Sequence, residues 1–526
     1  MTDKIIRGSG GPPPTPPSPT RAPDTLNSRQ FATIQDLLSE GEIEGFATAS
    51  KAGLTKGSTA YNNAALKDIF LNNTPILNSS ASNTNPQTAD FNFQNVSFTP
   101  RFGTSNQSHI PGIEGSQSTS SVGITVTNST PVTRQITNTA VDAAKVTITF
   151  PQLQKATDQG DLLGSSVNLK IQVQYNSGGF SDVINDTITG RTSDAYQKEY
   201  RVSFTGSFPV DIRVVRVTAD SSSTQLIDAF TWTSITEIVD DKQTYPNSAY
   251  TNLRIDSQQF SSIPKRSFRI RGVKVRIPGA GASGSGTPTV DLQTGRIIYP
   301  SGYIFNGTMG AAVWCSCPAM ILLDLLTTER YGFGTHITDS NLDLFSFVAA
   351  SRYANELVSD GFGGQEARFS CNVNLQGSME AYTLINELAG VMRCFPIWSE
   401  GSVTITQDKP TDPSYLFSLA NVGEGGFSYS GSSLKQRNTV ISVSYFNMDS
   451  REIDYEVVED TAAQAKLGIV KKDVKAFACT SRGQAQRLGK AILFSEQQET
   501  EVVSFTTSID AGAIVRPGSV ISINDP

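Results

Sequence analysis

The sequence predicts a β-rich multidomain α+β protein, and three observations carry that expectation. At 526 residues the chain is too long for one hydrophobic core and should divide into roughly three to five compact units. Only 17% of its residues are charged against 38% apolar, and the balance is heavy in Ser, Thr, Asn, Gln and Gly, which suits short strands and turns better than long charged helices. Two-residue alternation dominates the first half of the chain, and helical periodicity is concentrated after Pro318.

Residues 1–28 form a Pro-rich leader containing Pro12, Pro13, Pro14, Pro16, Pro17, Pro19 and Pro23. Such a composition favours extended, unpacked chain, either a flexible tail or a strap along a neighbouring subunit. An N-terminal β-domain is expected over 29–140. In it Phe31, Ile34, Leu37 and Leu38 suit a short amphipathic helix stopped by Gly41, Ser39–Gly45 reads as a turn, and Asp68–Ile76 as a strand closed by a turn.

A β-sandwich at 141–240 follows from the alternation itself. Val146, Ile148 and Phe150 alternate with Thr147 and Thr149, and Val167, Leu169, Ile171, Val173 and Tyr175 alternate with polar residues up to the turn Asn176-Ser177-Gly178-Gly179. Phe204, Ile212, Val214, Val217 and Trp232 continue the pattern at sandwich-like spacings. A β segment over 241–310 comes next, with a turn at Tyr245–Ala249, a strand at Ser267–Pro278 and a loop at Gly279–Gly286. That loop lacks the Gly-Lys-Ser/Thr ending of a phosphate-binding loop and reads as solvated or subunit-contacting.

An α+β domain is expected over 311–415. Pro318 opens a helix with Ile321, Leu322 and Leu325 on one face, Asp324 and Glu329 within it, and Gly332 as its stop. A second helix starts near Asp339 or Ser340, with Leu342, Phe345, Ala349 and Tyr353 on one face, and is closed by Asp360–Gly364. Ala381, Leu384, Ile385, Leu388 and Met392 mark a third helix, before the strand Ser402–Gln407. The remaining 416–526 should form a C-terminal β-domain with a strand near Thr439–Tyr445 and a helix Arg482–Phe494 capped by Thr480 or Ser481. Arg516–Ile523 looks like a strand in mid-domain, so this last domain reads as cut short.

Composition also argues against several functions. The net charge is −7, with 42 basic and 49 acidic residues scattered along the chain, so no basic stripe exists to hold nucleic acid. A weakly acidic wall would instead let DNA pass without binding it. Cys315, Cys317, Cys371, Cys394 and Cys479 are odd in number and irregularly spaced, and read as buried thiols rather than disulfides or a zinc site. No signal peptide is apparent, and Asp324 interrupts the strongest apolar run, Ala319–Leu326, so folding in the cytoplasm without a membrane span is expected.

Catalytic chemistry finds little to use. His109 and His336 are the chain's two histidines and are far apart in sequence, which excludes a His-Glu-x-x-His zinc site and leaves both as loop residues. A glycosidase would need two carboxyl groups about 5–10 Å apart, one of them in an apolar pocket. Glu40, Glu42 and Glu44, and the pair Asp240 and Asp241, are the nearest candidates, and both groups read as solvated turns. Trp232, Trp314 and Trp398 sit in apolar segments and read as core, not as a sugar-stacking platform. No catalytic, cofactor-binding or metal residue is therefore predicted, and no cofactor.

Eight runs carry a family resemblance: Ser39–Gly45, Asp68–Ile76, Thr236–Asn247, Asp324–Gly334, Asp360–Gly364, Met392–Trp398, Gln407–Pro410 and Cys479–Gln486. They resemble, in order, landmarks of the lambda-like tail tip host-specificity protein J family of long-tailed, non-contractile phages. The resemblance implies hub β-domains with an inserted β-sandwich and an α+β domain, arranged as a homotrimer that closes the distal end of the tail tube. It further implies contacts with distal tail proteins, tape-measure protein and tail fibres, a host receptor bound by regions beyond this chain, and release of DNA at the virion tail tip. The Pro-rich leader has no counterpart in that pattern, and Gly279–Gly286 replaces a different loop. Two other classes remain open on sequence grounds: a β-sandwich adhesin or carbohydrate-binding protein, and a tail-associated wall-degrading enzyme.

Overall fold

The computed structural model describes residues 19–377, 379–399, 401–431 and 437–525. Strands hold 39% of the chain and helices 17%, so the β-rich α+β class is observed. Pro12, Pro13, Pro14, Pro16 and Pro17 lie outside the described residues.

The first sheet is built around Ser248–Asp256, which pairs antiparallel with Phe31–Glu40 on one side and Ser97–Phe102 on the other. Phe31–Glu40 is thus a strand, not the helix expected there. Its inward face has a period of two, Ala32, Ile34, Asp36 and Leu38, and an acidic residue in that row hides the alternation. Arg266 resolves it, holding Asp36 through Nε and Nη2 at 2.7 and 2.8 Å. Leu37, counted as part of a helical face, is 65% exposed. The core beneath this sheet gathers Phe46, Tyr61, Ile69, Leu71, Ile76, Leu253 and Ile255. Asn72 and Asn73, both at positive φ, close the Ile69–Pro75 hairpin as a two-residue turn.

Between Ser97–Phe102 and Ser248–Asp256 the chain leaves to build a sandwich of two four-stranded antiparallel sheets. One runs Ser181–Gly190, Ser165–Tyr175, Val210–Arg216, Val132–Ile136; the other runs Tyr196–Ser203, Ala143–Phe150, Thr231–Asp240, Glu114–Thr125. Val146, Ile148, Phe150, Val167, Leu169, Ile171, Val173 and Trp232 are all fully buried between the sheets, as the alternation predicts. Two of the eight strands, Glu114–Thr125 and Val132–Ile136, precede residue 141. Glu114–Thr125 is rich in Ser and Gly and nearly all exposed, so it has no apolar alternation by which to be read.

A third core joins Val275–Pro278 and Met309–Val313 to three helices, Pro318–Thr327, Leu344–Ala354 and Ala381–Val391, and to the hairpin Cys394–Ser399/Ser402–Gln407. Pro318 occupies the first helical turn, as expected. That helix ends at Thr327, so Glu329 lies in the exit loop and not on the helix. The second helix starts at Leu344, where Asp343 accepts the N–H groups of Phe345 and Ser346. A 3₁₀ turn at Asp339–Asn341 takes up the residues before it. This delay rotates the buried face to Phe347, Val348, Ala350, Ser351 and Ala354, and Phe345, expected inside, is 59% exposed.

The fourth core lies under the helix Arg482–Gln498, capped by Ser481, whose hydroxyl accepts the Gln484 N–H. Ile441, Val443, Tyr445, Val458 and Leu493 fill it, on the sheet ordered Glu452–Glu459, Val440–Asn447, Lys471–Lys475. Tyr415–Ser418 pairs parallel with Ile521–Asn524, and Phe417, Phe427 and Phe505 pack together beside them.

Candidate functional site

The resemblance-bearing runs meet one another in space, and where they meet they join separate cores. Arg330, in the exit loop of the Pro318–Thr327 helix, donates from Nε to Glu40 Oε2 at 2.5 Å and from Nη2 to Ser248 Oγ at 2.9 Å. The next residue, Tyr331, lies over Gly41, where a Cβ would come within 3.0 Å of its ring. The Gly41 N–H in turn reaches Asn247 O at 2.7 Å. Ser39–Gly45, Thr236–Asn247 and Asp324–Gly334 therefore form one junction between the first sheet and the helical core.

Within that junction the loop folds back on its own helix. Phe333 N–H bonds Leu325 O at 2.9 Å and Gly334 N–H bonds Thr328 O at 3.1 Å. Gly332 is read from sequence as the helix stop, yet neither it nor Gly334 has positive φ. They serve close approach instead, since a Cβ at either would lie 2.1–2.2 Å from the carbonyl oxygens of Leu325 and Thr327. Tyr331 Oη donates to Asp324 Oδ2 at 2.6 Å. Burial pushes the Asp324 carboxyl above its ordinary range against that hydrogen bond. Beside it lies a polar depression of about 360 Å³ lined by Arg276, Asp339 and Thr338, in which Arg276 is already paired with Asp339 at 2.8 Å.

Asp360–Gly364 forms a second junction. It is the turn of the hairpin Leu357–Ser359/Gln365–Ala367 rather than a helix stop. Asp360 Oδ1 accepts the N–H groups of Phe362 at 2.8 Å and Gly364 at 2.9 Å, which holds its carboxyl below the ordinary range. Gly361 and Gly363 do take positive φ. The Arg482 guanidinium sits 4.0 Å from the Phe362 ring centroid while pairing with Glu456 at 2.7 Å. A Cβ on Gly483 would meet Asp360 O at 2.6 Å, so the Cys479–Gln486 run presses its helix start directly onto this turn. Met392–Trp398 and Gln407–Pro410 meet as one hairpin, with Cys394 opposite Gln407. Finally, Arg451 reaches from the C-terminal sheet to the Asp68–Ile76 run, its guanidinium 3.9 Å from the Phe70 ring and donating to Asn73 O at 2.9 Å.

Three of the carboxylates weighed for catalysis are tied into ion pairs. Glu40 pairs with Arg330, Glu42 with Lys274 at 2.6 Å and Asp240 with Arg201 at 2.6 Å. His336 is exposed in the loop after Phe333, and His109 lies near Asp142, Asp240 and Lys242 at the sandwich edge. Trp232 is buried and donates to Ser234 O, and Trp314 lies under Arg271. Trp398, expected in a core, is 65% exposed on the Cys394–Ser399 strand. All five cysteines are buried and unpaired. Burial raises their thiols, Cys371 and Cys394 to about 12 and Cys479 to about 11. Among the described residues no group of His, Cys, Asp and Glu is arranged to hold a metal, and no helix is long and apolar enough to cross a membrane.

Part of the leader is also placed, which the sequence did not foresee. Arg191, 2% exposed, pairs with Asp24 at 2.5 Å and donates to Ala22 O. Thr25 and Leu26 N–H groups bond Arg191 O, and Ser28 Oγ accepts Gln197 N–H at 2.8 Å. Residues 20–28 thus strap this chain's own sandwich rather than hanging free.

Comparison with known proteins gives these junctions a family. Residues 116–241 match the family model described as "Tip attachment protein J, FNIII-A domain", and residues 380–526 match one described as "Putative phage tail protein". "Tip attachment protein J" of Escherichia phage SECphi27 is 30% identical over 528 aligned residues, covering 100% of this chain and 41% of the relative. Its namesake in Escherichia phage SECphi4 is 31% identical, covering 99% of this chain and 42% of the relative. The chain thus spans about two fifths of the length of these curated relatives. Among solved structures, one titled "CBM4 structure and function" aligns with 35% of this chain and 99% of its own at 13% identity, with a TM-score of 0.12 that carries no argument. With whole-chain identity to two such relatives and a matching FNIII-A segment where the sandwich stands, the chain belongs to the tip attachment protein J family of phage tail tip proteins.

Proposed function

We propose that this chain is the structural hub of a siphophage tail tip, a homotrimeric ring that closes the distal end of the tail tube. In this reading it supports receptor-binding parts and opens for tape-measure protein and DNA to enter the host. It is assembled in the host cytoplasm and works without catalysis or cofactor. One observation carries the reading. Residues 380–526 keep Tyr382, Phe395, Trp398, Ile453, Tyr455, Phe494, Val502 and Ile509 at 60–93% exposure, large apolar side chains suited to burial against partners where they lie together. Neighbouring copies and distal tail proteins would cover it. The 31–102, 114–240, 275–407 and 415–525 portions would then act as modules of one hub, fixed to each other by the junctions above. The net charge of −7 favours transit of DNA over its retention.

Native mass measurement of the chain co-expressed with its distal tail proteins tests the proposal. A complex holding three copies is the expected result; monomers alone at every concentration would overturn it.

A further inference from the structure

The sheet beneath the Arg482–Gln498 helix has two free edges of opposite charge. Its order is Glu452–Glu459, Val440–Asn447, Lys471–Lys475, and each outer strand is paired only with the central one among the described residues. One edge reads Glu-Ile-Asp-Tyr-Glu-Val-Val-Glu and the other Lys-Lys-Asp-Val-Lys. The helix covers one face. On the other face Ile453, Tyr455 and Val457 of the acidic edge are 64%, 63% and 51% exposed, and Phe446 beside them is 42% exposed. An eight-residue edge strand with exposed apolar side chains on one face is a template for a further strand, and proteins that stay monomeric usually blunt such edges.

We infer that a second copy of this chain occupies the acidic edge, and that it does so with its own basic edge. Charge decides the pairing. A two-fold contact joining Glu452–Glu459 to itself would place Glu and Asp side chains opposite one another, and one joining Lys471–Lys475 to itself would do the same with lysines; both are unfavourable. On the open face Glu459 of the acidic edge is complementary to Lys471 and Lys475 of the basic edge, Lys471 also pairing with Asp473 at 2.8 Å, while Glu456 and Lys472 are held by Arg482 and Glu496. Strand directions agree with it: the acidic strand is antiparallel to the central strand and the basic strand is parallel to it. Copies related by rotation about an axis along the strands therefore meet in an antiparallel pair. With the helix-covered faces kept on one side, Lys471 and Lys475 share a face with Glu459 and Tyr455. Such a contact uses two different surfaces of each copy, so it propagates until rotation closes it into a ring. This inference rests on the ring reading above and names the strands that close it.

Two variant sets of the full chain test it, with chain folding followed by circular dichroism. Lys471→Glu with Lys475→Glu should weaken self-association by about tenfold or more, and adding Glu459→Lys, the acidic residue on the same face, should restore it in part. In parallel, Glu459→Cys combined with Lys471→Cys should give disulfide-linked multimers under mild oxidation, the five native thiols being buried, while Glu459→Cys alone should give none. Undiminished assembly of the double glutamate variant, or dimers from Glu459→Cys alone, would overturn the edge pairing and leave the ring standing. A wild-type chain that never self-associates with its tail partners present would instead sink the ring reading, and the edge pairing with it.

Discussion

Arg330 and Glu40, 290 residues apart in sequence, meet at 2.5 Å where the helical core docks on the first sheet. Both side chains are more than 40% exposed, so the pair itself contributes little, on the order of 1 kcal/mol or less after screening. Arg330→Ala should lower the thermal midpoint only slightly, and the loss should shrink as salt rises. Tyr331→Ala removes the ring packed over Gly41 and the hydroxyl that serves Asp324. It should cost more, about 1–2 kcal/mol, less than a core truncation because the residue is 36% exposed, with little salt dependence in the same melts.

Gly103 stands at the same junction with φ +84°, and a Cβ there would fall 2.3 Å from Gly41 O. Gly103→Ala should therefore destabilise the first core by about 2 kcal/mol or more through strain and clash together. Gly53→Ala, at similar φ but with open space around it, should pay only the conformational part, about 1 kcal/mol. Denaturant midpoints of the two variants separate these contributions.

Arg191 is the fastening of the strap. Its guanidinium is almost wholly buried and Asp24 is one third exposed, so Arg191→Ala should cost about 1–3 kcal/mol, below the figure for a fully buried pair. Hydrogen exchange should rise at residues 20–28 before it rises in the sandwich strands. Unchanged protection there would show that the backbone bonds alone hold the strap.

Asp324 and Asp360 should give opposite responses to pH. Burial raises Asp324 above 3.8, so its contribution favours the folded state below that value and is lost as pH rises through the raised one. Asp324→Asn should gain on the wild type over that rise. Backbone N–H groups lower Asp360 below 3.8, so its contribution is present above that value and lost as pH falls through the lowered one. Asp360→Ala should therefore lose most of its effect in acid. Stability measured by denaturant at several pH values checks both signs.

What the sequence made legible was periodicity with little interference. Ser165–Tyr175 alternates cleanly and is buried as read, and Pro318 and Ser481 mark helix starts that the structure keeps. Misreadings came from long-range partners. Phe31–Glu40 looked helical because Asp36 breaks its inward row, and only Arg266, distant in sequence, makes that row tolerable. Trp398 looked like core because Cys394–Ser399 is apolar, yet that strand has one partner and an open face. At the candidate site the runs themselves could be listed from sequence, but not that they touch. Arg330 with Glu40 and Arg482 with Phe362 are pairings that no local spacing encodes.

If these junctions build a hub, neighbouring copies and distal tail proteins cover its exposed apolar surface. Imaging the assembled tail tip by electron cryomicroscopy, even at low resolution, tests it most directly. Three copies of this chain should surround the tail axis at the distal end of the tube. A single copy, or placement away from that axis, would contradict it.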